Sequence, residues 1–90
     1  MQAVEFFYSL LMDVEDFEKE RFLTDLGKHI AKVRKSKGYS QDRVCLEAGL
    51  SRGALSKIES GRVEPRISTL ALIAITIDVS LAKLTGIEIR

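Results

Sequence analysis

The chain is short of several residue types, and each shortage removes a class of protein. It holds one cysteine, Cys45, so no internal disulfide can form and a disulfide-stapled secreted scaffold is excluded. Its one histidine, His29, has no cysteine or second histidine at zinc-ligand spacing. No phosphate-cradling glycine loop is present, and no nucleophile stands with a base and an acid. An enzyme reading therefore has no residues to rest on, and neither a metal nor a cofactor is expected. No apolar run approaches the roughly 20 residues of a membrane span. The first residues lack a basic stretch, and no small-residue cleavage site follows them. The expectation is a cytoplasmic chain with no signal peptide and no membrane segment. Internal repeats and low-complexity segments are also missing.

What is present describes a small folded unit. A hydrophobic share of 46% suits a packed core better than a disordered chain. Ninety residues make one domain with a limited core, which a partner subunit would supplement. From that length no separate ligand-sensing domain is expected. The formal net charge of +1 conceals a division: residues 1–23 carry a net of −4 and residues 24–90 a net of +5. The basic part suits a polyanion and the acidic part does not.

The stretch 40–61, SQDRVCLEAGLSRGALSKIESG, reads as two short helices joined by a tight turn. Ser40 is an N-cap for the first, because its hydroxyl can accept an N–H that the first turn leaves unpaired. Val44, Ala48 and Leu50 form its apolar stripe. Gly49 reverses the chain at no steric cost. Ser51 is expected to cap the second helix, with Leu55 and Ile58 inward and Gly61 as its stop. Cys45, one turn before Gly49, reads as packing at a close helix crossing rather than as a reactive thiol. Outward, the second helix offers Gly53, Ser56, Lys57 and Ser60, with Arg52 at its start. That face is short, polar and basic, and contains no carboxylate, which suits the major groove of DNA.

Together with LGKHIAKVRKSKGYSQ before it and PRISTL after it, then Ile73, Ala74, Ile77, Val79 and Ser80, this stretch closely resembles the helix-turn-helix of the lambdoid phage repressor and Cro family, also called the XRE family. The resemblance covers about residues 26–85. It implies an all-α, lambda-repressor-like DNA-binding domain of about five helices over residues 24–90. Residues 1–23 would be an additional N-terminal helical segment. It also implies that Arg34 pairs with Glu59 and so fixes the angle at which the recognition helix, about residues 51–60, is presented. Gln41 is expected to hold a phosphate with the helix N-terminus behind it. Arg52 and Lys57 are candidates for base readout, since both can donate to guanine O6 and N7. Ser51 is placed to touch the backbone, and Ser56 a base edge or a water. Gly53 within the helix would cost roughly 1 kcal/mol of propensity and allow a closer approach to DNA. Ser60, Gly61 and Arg62 form a loop suited to the next phosphate. Arg66, at the N-cap position of the fourth helix, departs from the serine common in the family and is assigned to the backbone or the minor groove, or else to an exposed loop.

The remaining elements follow from pattern. A helix is expected over residues 24–37, with Leu26, Ile30 and Val33 inward. Lys28, Lys32, Lys35 and Lys37 face solvent, and phosphate contact is assigned to the C-terminal lysines only. The stretch 70–77, LALIAITI, is ambiguous between strand and helix by itself, and its neighbours favour a helix. Leu70, Ile73, Ala74 and Ile77 match core positions there, leaving Leu72 and Ile75 as surplus apolar residues. Ser80 caps a last helix with Leu81 and Leu84 inward and Gly86 as its stop. In residues 3–12 apolar side chains surround most of a helix, which must then be covered on more than one side. Phe6, Phe7, Leu10 and Leu11, with Leu72 and Ile75, are the candidates for a dimer interface. Met12 stands as a second candidate start.

The leading reading is a sequence-specific DNA-binding transcriptional regulator acting as a homodimer on a palindromic operator, similar to small stand-alone regulators such as restriction-modification controller proteins. A second reading is an antitoxin, whose N-terminal segment binds a toxin protein as its partner. A third is an interaction module that uses the same helices without DNA.

Overall fold

The computed structural model describes residues 17–87. Among the described residues five helices follow one another: α1 (Lys19–Ser36), α2 (Gln41–Ala48), α3 (Ala54–Glu59), α4 (Ile67–Ile77) and α5 (Leu81–Thr85). No strand occurs among the described residues. Phe6, Phe7, Leu10 and Leu11 lie outside them, as does the tail after Ile87.

Helix α1 begins five residues before the expected Thr24 and runs through the 23/24 boundary. Nothing between Lys19 and Thr24 breaks a helix. Thr24 is absorbed into the turn, where its hydroxyl donates to the Glu20 carbonyl at 2.9 Å. The added turn buries Leu23, which extends the inward row of Leu26, Ile30 and Val33. Lys19 meets Glu64 at 2.8 Å and ties the start of α1 to the loop after α3. That hydrogen bond and the nearby carboxylate charge hold the Lys19 ammonium above its ordinary pKa.

Ser40 caps α2 by accepting the Arg43 N–H at 3.1 Å, and Gly49 ends the helix in a left-handed conformation at φ 73°. Leu50 N–H then reaches back to the Cys45 carbonyl at 2.9 Å. The buried residues of α2 are Val44 and Cys45; Ala48 and Leu50 are half-buried.

The start of α3 differs from expectation. Ser51 is not its cap. The chain makes a turn at Ser51, Arg52 and Gly53, in which Ala54 N–H donates to the Ser51 carbonyl at 3.1 Å. The N-cap residue is Gly53, left-handed at φ 82°, with no side-chain hydrogen bond. Gly53 therefore costs α3 no helix propensity, because it lies outside the helix. It serves a turn that an L-residue enters only with strain.

The stretch 70–77 is helical. Leu70, Ile73, Ala74 and Ile77 fall on one side of α4 and are buried, which is a helical period and not a strand's. The last helix has Ser80 as its cap, accepting Lys83 N–H at 3.0 Å, and Gly86 as its left-handed stop. Each helix gives at least one fully buried side chain to a shared core: Ile30, Val44, Leu55, Ile73, Ile77 and Leu84. Helix α1 packs on α3 and α5, while α2 packs on α3 and α4.

Candidate nucleic-acid interface

Two glycines set how close α3 lies to α1. At Gly27, in the middle of α1, an added Cβ would stand 2.4 Å from the Glu59 carbonyl oxygen and 2.6 Å from that of Ile58. At Gly61, just past α3, a Cβ would meet the Thr24 backbone at 2.8 Å. Both helices thus touch backbone to backbone at the C-terminal end of α3. No sequence period announces Gly27, since a glycine inside a helical run reads as a tolerated weakness.

Beside this contact lies a buried polar cluster. Arg34 donates through Nε to Glu59 Oε2 at 2.7 Å and through Nη2 to Oε1 at 3.0 Å. Its Nη1 donates to the Tyr39 carbonyl at 2.6 Å. The two side chains are only 8% and 6% exposed, so this pair is shielded from water and salt. Gln41 Nε2 donates to Glu59 Oε1 at 2.8 Å. The cluster joins α1, the start of α2 and the end of α3, and it turns the one carboxylate of α3 inward. Among the described residues no buried side-chain nitrogen or oxygen lacks a partner.

Outward, α3 carries no free acid, and its flanking segments add exposed cations; the acid among them, Glu64 in the loop after α3, is paired with Lys19. Arg52, Lys57, Arg62 and Arg66 are exposed, and none forms an ion pair among the described residues. Arg52 lies in the turn before α3, beside Asp42, Leu46 and Leu50. Lys57 stands on the helix itself. The Ser60 hydroxyl donates to the Lys57 carbonyl at 3.1 Å and accepts from Arg62 Nε at 2.9 Å, which folds Arg62 over the end of α3 and leaves its terminal nitrogens outward. Arg66 is the N-cap residue of α4, with no side-chain cap bond. Gln41 commits one amide hydrogen to Glu59; a second hydrogen and the first N–H groups of α2 remain for an anion.

Gln41, Ser56 and Ser60 line one open cleft, and its other wall is α1, through Lys28, Lys32 and Lys35. Ser51, Arg52 and Arg66 do not line it. His29 is a further residue with a role that sequence pattern did not supply. Its Nε2 lies 3.0 Å from the Lys83 carbonyl, and its ring fills the space where a Cβ on Gly86 would fall, so it fastens α5 to α1. On α4, Ile75 is 75% and Leu72 44% exposed, with Ile67 exposed near them in sequence. No helix among the described residues is long and apolar enough to cross a membrane.

Comparison with known proteins agrees with this geometry. A family model described as Helix-turn-helix matches residues 30–84. The chain is 41% identical over 66 residues to the ImmF control region 10 kDa protein of Bacillus phage phi105, covering 71% of this chain and 73% of that protein. It is 38% identical over 64 residues to the HTH-type transcriptional regulator SlrR of Bacillus subtilis, covering 70% of this chain but 42% of SlrR. Among solved structures, the restriction-modification controller protein C.AhdI from Aeromonas hydrophila shares the fold with a TM-score of 0.72 at 22% identity, over 76% of this chain and 99% of that one.

Proposed function

The chain belongs to the helix-turn-helix family, and on that premise we propose that it is a sequence-specific DNA-binding transcriptional regulator. The observation that carries the reading is the orientation of α3. Its only carboxylate, Glu59, is consumed by Arg34, while Lys57 on the helix and Arg52 in the turn before it are exposed and form no ion pair among the described residues. Six residues at 1.5 Å each make α3 about 9 Å long, which fits within a major groove about 12 Å wide. Arg52 and Lys57 are the proposed base readers. Gln41, Ser60 and Arg62 hold backbone phosphates on either side of them, with Ser51, Ser56 and Arg66 at the margin of the contact.

We further propose that the regulator works as a homodimer on a palindromic operator. The support is apolar surface. Ile75 and Leu72 leave α4 with an uncovered apolar face, and such patches are uncommon on soluble monomers. Residues Phe6, Phe7, Leu10 and Leu11 supply apolar cover in the same chain or across a two-fold axis. A symmetric pair would place two α3 helices about 34 Å apart, one turn of DNA.

The test is selection of bound sequences from a random duplex library, with the mass of the complex measured in solution. The reading expects a two-fold-symmetric consensus with half-sites about one DNA turn apart and two chains per duplex. Failure to enrich any sequence, at low salt as well as at physiological salt, would remove it.

A further inference from the structure

The cleft between α1 and α3 has three cations on one wall and none of its own acid left free. Lys28, Lys32 and Lys35 recur at spacings of four and three, so they form one row about 10 Å long on a single side of α1. All three are exposed, and none makes an ion pair among the described residues. Like charges at these spacings repel one another along a helix. Beyond Asp25, α1 carries no acid to offset this row, whereas α2 balances its own cation in the Arg43–Glu47 pair at 2.8 Å. The opposite wall is hydroxyl-bearing, with Ser56 and Ser60 from α3. Ala31 also lines the cleft, and its small side chain adds little bulk there. Glu59 also borders it, but both of its oxygens already accept hydrogen bonds from Arg34, and one from Gln41. The Ser60 hydroxyl hydrogen is already given to the Lys57 carbonyl, so the cleft presents the three ammonium groups and the Ser56 hydroxyl as donors to whatever enters from the α3 side.

We propose that this cleft binds backbone phosphates of the DNA strand bordering the groove that α3 enters, so that the footprint spreads from α3 along α1 as far as Lys28. The proposal rests on the DNA-binding reading above and adds a second contact surface to it. It differs from the pattern expected from sequence alone, which gives phosphate contact to the C-terminal lysines of α1. Lys37 belongs to that C-terminal group but does not line the cleft. Lys28 and Lys32, earlier in the helix, do.

The test uses the full chain, the duplex recovered from library selection, and a scrambled duplex of equal length, with binding read by fluorescence anisotropy between 50 and 200 mM salt. The triple variant K28Q/K32Q/K35Q should lose affinity by the same factor on both duplexes. Each phosphate contact contributes a slope of about 0.9 in log affinity against log salt. Removing three should flatten the slope by about 2.7, so that wild-type affinity falls roughly 40-fold further than the variant's over that salt range. K37Q should leave the slope unchanged, and K32Q alone should flatten it by about 0.9. An unchanged slope in the triple variant, with sequence preference intact in the wild type, overturns the cleft and leaves the DNA reading standing. A K37Q effect as large as that of K32Q also overturns it, because the lysines would then act only through net charge. If the wild type binds neither duplex, both readings fall together.

Discussion

A single methyl group at Gly27 should move α3. In an ordinary helix interior, Gly→Ala stabilises by roughly 1 kcal/mol, since glycine loses more backbone freedom on folding. Here the new Cβ would stand 2.4 Å and 2.6 Å from two carbonyl oxygens of α3, where ordinary contact begins near 3.4 Å. Neither obstacle is a side chain that can rotate away. The helices must separate locally by about 1 Å. Overpacking of this kind costs typically 1–3 kcal/mol and occasionally more. A shift of that size also stretches Arg34–Glu59 hydrogen bonds that now stand at 2.7 and 3.0 Å in a site closed to water. Weakening that pair adds about 1 kcal/mol and the propensity gain removes about as much, leaving a net loss of about 1–3 kcal/mol. For a domain of this size that lowers the melting midpoint by roughly 5–20 °C. Thermal unfolding followed by far-UV circular dichroism measures it directly. A Gly27→Ala protein that melts at or above the wild-type midpoint would show that α1 and α3 are not in backbone contact, and would refute the packing on which α3 is presented.

Other substitutions separate the parts of the site. Glu59→Ala leaves Arg34 buried and unpaired and should cost about 3–5 kcal/mol in stability; a melt with an unchanged midpoint and tighter DNA binding would refute that. Lys57→Ala and Arg52→Ala should each weaken the selected duplex by about 1–3 kcal/mol and relax preference at one base position, whereas equal loss on every duplex would reassign the residue to phosphate. Gly53→Ala should destabilise by about 1–2 kcal/mol from its left-handed φ although nothing crowds the position, and an unaltered urea midpoint would count against the turn. Deleting residues 1–11, or placing Asp at Ile75, should convert the dimer to monomer or aggregate in light scattering; a soluble dimer with unchanged operator affinity would sink the proposed interface.

Most of the fold was legible because its signals are local. Ser40 and Ser80 carry capping hydroxyls, Gly49 and Gly86 carry left-handed stops, and the inward row of α1 keeps a helical period, while α4 needed its neighbours to be read as a helix. What escaped was decided by packing between segments distant in sequence. Gly27 matters because of Ile58 and Glu59, more than thirty residues later, and no pattern around Gly27 carries that information. Ser51 shows the converse failure: a residue with good capping chemistry stands two positions too early, because the chain makes a turn through Arg52 and Gly53 first. Arg34 could be matched with Glu59 only through family resemblance. The part of Gln41 in the same cluster was missed, since an amide at a helix N-terminus also suits a phosphate. The lysines of α1 read as a solvated face until the α3 serines opposite them were in place.

Helix α1 thus carries two kinds of residue that act on DNA binding by different routes, and stability measurements can tell them apart. Gly27 and Arg34 face α3 and set its position; Lys28, Lys32 and Lys35 line the cleft that we assign to phosphates. Domains of this kind are stable by roughly 5 kcal/mol or more. A loss of about 2 kcal/mol from Gly27→Ala still leaves about 99% of the molecules folded at room temperature. Simple depopulation of the native state would then weaken binding by only about one part in a hundred. A tenfold loss of operator affinity in that variant must therefore come from a displaced α3 within a folded protein. Its sign is a fall in specific affinity with the salt slope retained, because the lysine row and its phosphates stay in place. The lysine variants should give the reverse: a melting midpoint unchanged or slightly raised by relief of like-charge repulsion, a flatter salt slope and intact base preference. If Gly27→Ala and the lysine variants both moved slope and midpoint together, presentation of α3 and phosphate contact would not be separable on α1.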